Sequence, residues 1–190
     1  MRIVLGATRT LVALAFGLWI GGLVFFGAIT AAIMFPMTRK LGVPQIAPQM
    51  VGPMLSRFAL VCAVCSVVLV TGWALDGALA RRGRGWTAQG VLTLVAVGLG
   101  TFLNFVLLPQ IERDQSAVLP LYARSVAQGG QGVLSAQETA LKARFDAGHQ
   151  RFNSLAAINI YLLIGALAAL MGRTALPRES SVLQREEVTV

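Results

Sequence analysis

Along this chain the apolar and polar positions change over whole segments rather than residue by residue. Uncharged apolar runs occupy residues 11–35, 58–75, 85–111 and 152–172, with short polar stretches between them. An α-helix needs about 20 apolar residues to cross a hydrocarbon core of roughly 30 Å, and each run meets or nearly meets that length. The pattern predicts an all-α integral membrane protein, an antiparallel four-helix bundle with spans at about 11–35, 56–77, 86–110 and 152–172.

The segments between the spans refine this outline. Phe35-Pro36 is expected to end the first helix, and Pro36, Pro44, Pro48 and Pro53 argue against a long helix through 36–57. Asp76 is expected at the interface, within reach of water, since a carboxylate at the bilayer centre costs several kcal/mol. The stretch 111–150 predicts an extramembrane helical hairpin that extends helices 3 and 4, turning at Gly129-Gly130-Gln131-Gly132. Ser135-Ala136-Gln137-Glu138 matches a capping box, so one continuous helix is expected from about Ala136 to Gly172. On the other side of the hairpin, Ile111, Val118, Leu121, Tyr122 and Val126 recur at helical spacing. The domain is read as residues 1–176, followed by a polar tail at 177–190.

Composition narrows the class. The chain is 56% hydrophobic and 13% charged, which excludes disorder. Its net charge of +8 comes from basic residues spread over every loop, so it reads as headgroup contact rather than a nucleic-acid surface. The 16 Lys and Arg divide evenly between the two sides of the bundle. The dense Arg81-Arg82-Gly83-Arg84 loop breaks the tie and places both termini in the cytoplasm by the positive-inside rule. The expected location is a bacterial cytoplasmic (inner) membrane. The expected partners are membrane lipids, with a second copy or another membrane protein as further options.

Polar residues inside the spans are the candidate site. Counted from Phe145, the residues His149, Phe152, Ala156, Asn159 and Leu163 fall in one helical stripe about 80° wide. His149 is the single histidine of the chain. An intramembrane amide needs a partner, so Asn104, shortly before Pro109, is expected to face the interior. Asn104, His149, Asn153 and Asn159 form the expected polar interior cluster, which either lines a ligand cavity or ties helices together. Gly17 and Gly21 make a G-x-x-x-G pair, and with Trp19 and Gly22 they form the expected close-packed face of helix 1.

Trp19-Ile20-Gly21-Gly22, Asn104 with Pro109, and Phe145-x-x-x-His149-x-x-Phe152-Asn153 leading to Asn159 resemble the transmembrane-protein-205-like family. The resemblance spans most of residues 10–172. It implies a four-helix membrane domain without an established molecular activity, and it marks Trp19, Gly21, Gly22, His149 and Asn159. The stretch 44–53 and the tail after 173 lie outside it.

A soft-metal site is the alternative. Met34, Met37, Met50 and Met54 lie between the first two spans, and Cys62 and Cys65 follow at i, i+3. Thioether and thiolate ligands suit Cu(I), and antiparallel topology brings these residues to the same end as His149. Haem would need a His149–Met pair, because a second histidine is lacking. The default expectation is no cofactor. The chain holds no H-E-x-x-H, no G-x-S-x-G and no phosphate-binding glycine loop, and no paired carboxylates lie within the spans. The leading reading is therefore a non-enzymatic bundle that binds a lipid, a small apolar ligand or a protein partner.

Overall fold

Residues 2–43, 46–79, 84–127 and 134–175 are described by the computed structural model of the chain. Among them, four helices are long and apolar enough to cross a membrane: Ile3–Lys40, Ile46–Leu79, Arg84–Leu121 and Ala136–Thr174. The first comprises α1 (Arg2–Val24), a π-helical segment (Phe25–Thr30) and α2 (Ala31–Lys40). The second is α3 (Ile46–Leu79). The third comprises α4 (Arg84–Phe102), a π-helical segment (Leu103–Leu107) and α5 (Leu108–Ala127), and the fourth is α6 (Ala136–Ala175). The chain is thus an all-α, multi-pass membrane bundle. The expected turn at 129–132, the Arg81-Arg82-Gly83 loop and the tail at 177–190 lie outside the described residues.

Prolines stop these helices less than expected. The first helix runs through Pro36 to Lys40, and α3 begins at Ile46 and includes both Pro48 and Pro53. Pro48 sits in the first turn of α3, where its missing N–H has no helical acceptor to lose. Pro36 and Pro53 each forgo one backbone bond and leave a carbonyl one turn earlier unpaired, a loss membrane helices tolerate. Pro109 follows the π segment Leu103–Leu107, whose wider turn makes room for a ring that would clash with the carbonyl four residues back. The start of α6 follows the capping-box expectation. Glu138 N–H donates to Ser135 Oγ at 3.2 Å, and Ser135 N–H donates to Glu138 Oε2 at 2.9 Å.

The outer surface of the bundle is apolar, with Leu14, Leu18, Leu60, Val64 and Val67 all exposed, as suits contact with lipid. The core holds Phe16, Trp19, Leu69, Ala96, Leu163 and Ala166, drawn from α1, α3, α4 and α6. Glycine lets these helices approach. A Cβ on Gly72 would lie 2.3 Å from Val12, and one on Gly100 would lie 2.3 Å from Trp19. Of the expected helix 1 face, Trp19 is buried at 1% exposure and Gly22 lies under Phe58. Gly17 and Gly21 contact no neighbouring helix: both are exposed, with nothing within 4 Å of a Cβ added there. The G-x-x-x-G pair points away from the core because Phe16 and Trp19 occupy the inner face of α1.

At the end of the bundle holding Arg9, the last turns of α3, the start of α4 and the end of α6, all four long helices are tied by polar groups. Asp76 does not reach water as expected: its side chain is buried by its neighbours, at 5% exposure. It accepts a hydrogen bond from Arg9 Nε at 2.7 Å and one from Arg173, which also donates to the buried Gln89. Residues of α1 and α6 thereby meet on the carboxylate of α3, and Arg173 carries the link on to α4 through Gln89. Beside them Trp73 and Trp86 stack with ring centroids 4.6 Å apart. Each indole N–H donates to the other's backbone carbonyl, at 3.2 and 3.3 Å. Gly77 and Gly90 accommodate the two rings.

Candidate functional site: a cavity between two helix pairs

Toward the other end the bundle divides into pairs. α2 packs on α3, and α5 packs on the first half of α6. Between the pairs lies a cavity of about 640 Å³. Its cause is side-chain size: Gly27, Ala28 and Ala31 line one wall, Gly52 a second, and Ala156 and Ala157 a third. The π segment Phe25–Thr30 contributes Phe26, Gly27 and Ala28 to the lining. Phe26 leans on Phe58 with centroids 5.3 Å apart, which packs the inner end of this wall against α3.

The lining is mainly apolar, and its polar groups are few: Arg39, Glu112, Gln115, His149 and Asn153. Several are already engaged. Ser56 donates its hydroxyl to the Glu112 carboxylate, and Gln115 Nε2 donates to the Pro48 carbonyl at 3.0 Å, so both bonds join α5 to α3. The His149 ring stacks on Phe145, with centroids 6.0 Å apart. Outside the cavity, Arg144 pairs with Asp114 at 3.1 Å and Arg124 with Glu138 at 2.7 Å across α5 and α6. The Ser135 N–H and hydroxyl, followed by Arg124, hold the Glu138 carboxyl below its ordinary range.

The four expected members of the polar cluster separate into three places. His149 and Asn153 line the large cavity. Asn159 is 1% exposed in the close-packed region, beside Gly100 and Trp19, and neither of its amide atoms has a hydrogen-bond partner among the described residues. Asn104 lies in the π segment before Pro109 and borders a small cavity of about 160 Å³ with Cys62, Ser66 and Gly100. A stripe drawn on one helix cannot assign its members to different neighbours along 40 residues, and α6 changes neighbours from α5 to α4 between His149 and Asn159.

The soft-metal set is likewise dispersed. Met37, Met50 and Met54 are 55%, 50% and 42% exposed, whereas Cys62 and Cys65 are buried as free thiols. His149 lines the large cavity, and no methionine does, so the described residues form no His–Met pair across it. No group of three His, Cys, Asp or Glu side chains with metal-binding spacing occurs among the described residues. Shared membrane depth had suggested convergence, but helix rotation places these residues on different faces.

Two features escaped the sequence. The cavity depends on small residues far apart in the chain, and Asp76 has partners 67 and 97 positions away. The isolated carboxylate at the end of an apolar run was the available signal for the second.

A family model described as a domain of unknown function (DUF4149) matches residues 14–118. The matched segment covers the cavity walls from α1 to α5 and stops before α6. No curated protein and no solved structure is significantly similar to the chain.

Proposed function

The chain belongs to the DUF4149 family, and from that premise we propose that it is a non-enzymatic membrane protein that receives a lipid or other small apolar ligand between its helix pairs. The observation that carries this reading is the cavity itself. At about 640 Å³ it falls within the roughly 300–1,000 Å³ usual for small-molecule sites, and its apolar walls with few polar groups match their usual character. The resemblance to the transmembrane-protein-205-like family, through Trp19, Gly21, Gly22, His149 and Asn159, belongs to the same proposal. So does placement in a bacterial inner membrane with both termini in the cytoplasm.

The test is extraction and mass spectrometry of small molecules retained by protein purified in a mild detergent. Wild type is expected to hold an apolar molecule in stoichiometric amount. Ala156→Phe, which puts a ring into the cavity, is expected to lose that molecule while keeping the wild-type melting temperature. Equal retention by the folded variant would sink the reading.

A further inference from the structure

The cavity is long, and its two ends differ in chemistry. Along the first helix its lining runs from Leu23 to Arg39, about 24 Å at 1.5 Å per residue, and along α6 from Phe145 to Ile160, about 22 Å. One end of this lining, from Leu23 to Phe26 and opposite Ile160, is apolar. The other end carries Arg39, the next-to-last residue of α2. One leaflet of hydrocarbon is about 15 Å deep, half of roughly 30 Å. An extended acyl chain filling one leaflet therefore fits within the cavity with length left for a head group.

Charge identifies that head. The Glu112 carboxylate accepts the Ser56 hydroxyl, and Gln115 is bonded to the Pro48 carbonyl. Arg39 is exposed, and no described residue forms an ion pair with it. A guanidinium offers several N–H donors in a planar fork that matches a carboxylate or phosphate. Resting on the ligand-binding reading above, we propose that the cavity takes a single-chain amphiphile with an anionic head, its chain directed toward Leu23 and Ile160 and its head against Arg39. A fatty carboxylate and a lysophospholipid phosphate share this chemistry. Both place one negative charge or more beside Arg39 and one apolar chain between the helix pairs.

The experiment measures binding of radiolabelled palmitate, lysophosphatidate and hexadecanol to the full chain in phosphatidylcholine nanodiscs, with empty nanodiscs subtracted. Wild type is expected to bind at least one of the two anions tenfold or more tighter than the neutral alcohol. Which anion gains more distinguishes a carboxylate from a phosphate head. Arg39→Gln is expected to erase the preference by weakening the anions to the level of hexadecanol, and the fold is kept because the Arg39 side chain forms no ion pair with a described residue. Equal binding of alcohol and anions by wild type, or a preference that survives Arg39→Gln, would overturn the head-group assignment while leaving the cavity as a binding site. Ala156→Phe, checked for wild-type melting, is expected to abolish binding of all three. Binding of all three that survives it would overturn the cavity reading as well.

Discussion

The two ends of the bundle are built from the same four helices but solve different problems. At one end, Arg9 of α1 and Arg173 of α6 both bond the Asp76 carboxylate of α3, and Arg173 also bonds Gln89 of α4, beside a pair of stacked tryptophans. At the other, α2 with α3 and α5 with α6 stand apart around about 640 Å³ of space. Glycine serves opposite purposes in the two places. Gly77 and Gly90 are filled by neighbouring indole rings, whereas Gly27, with nothing within 4 Å of an added Cβ, leaves room in the cavity. The contrast teaches that a small residue makes a close contact where a large side chain faces it and leaves open space where none does. It also places the polar ties between helices at one end and the open volume at the other.

The strongest test of that division is removal of the shared carboxylate. Asp76→Ala leaves two guanidinium groups without their buried anion and is expected to destabilise the fold by about 3–5 kcal/mol. Reversible unfolding in mixed micelles measures it, and a loss under 1 kcal/mol would dissolve the distinction between the ends.

Next comes one substitution made in the close-packed core and again at the cavity end. Gly100→Ala drives a methyl group into Trp19 and is expected to cost about 1–3 kcal/mol. Gly148→Ala, whose new Cβ would meet Ile111 at an ordinary 3.6 Å, is expected to stabilise α6 by about 0.5–1 kcal/mol through helix propensity. Effects of the same sign would show that the packing contrast does not govern stability.

Asn159→Leu sharpens the comparison within the close-packed region. Replacing an amide that lacks described partners with an apolar group of similar size is expected to leave stability unchanged or raise it by about 1 kcal/mol. A loss above 2 kcal/mol in the same unfolding assay would mean that the amide is held by a group beyond the described chain.

The smallest effect concerns the first turn of α6. Glu138 titrates below its ordinary range in the folded chain, so its contribution is fully present above the usual glutamate pKa of about 4.3. It is lost as pH falls from there through the lower folded value. Amide exchange at residues 138 and 139 is expected to accelerate in that window and not between neutral pH and 5. Acceleration above pH 5 would contradict the assignment.

Features set by neighbours in sequence were legible in it. Ser135 and Glu138 are three residues apart, and their reciprocal hydrogen bonds follow from that spacing alone. The four apolar runs likewise became helices, because lipid leaves a spanning segment few other ways to pair its backbone. Proline misled at Pro36, Pro48 and Pro53, since its penalty was assigned from residue type when the outcome depends on position. The candidate site was legible only in part. His149 and Asn153 do share a cavity, but Asn159 and Asn104 face other neighbours. Azimuth on one helix is a local property, whereas the face a residue meets depends on how the whole helix is rotated and crossed.

The Asp76 cluster has a consequence for the order in which the chain is assembled. Arg9 and Asp76 belong to the first two spans, so the first hydrogen bond to the carboxylate is available as soon as that hairpin enters the bilayer. Arg173 lies at the far end of the last span and arrives when synthesis of the bundle is nearly complete. Between those moments Asp76 is a half-satisfied anion at the rim of an unfinished protein. The final helix is thus drawn to its place by a charge exposed since the second span, and a chain truncated before residue 173 would carry a built-in mark of incompleteness.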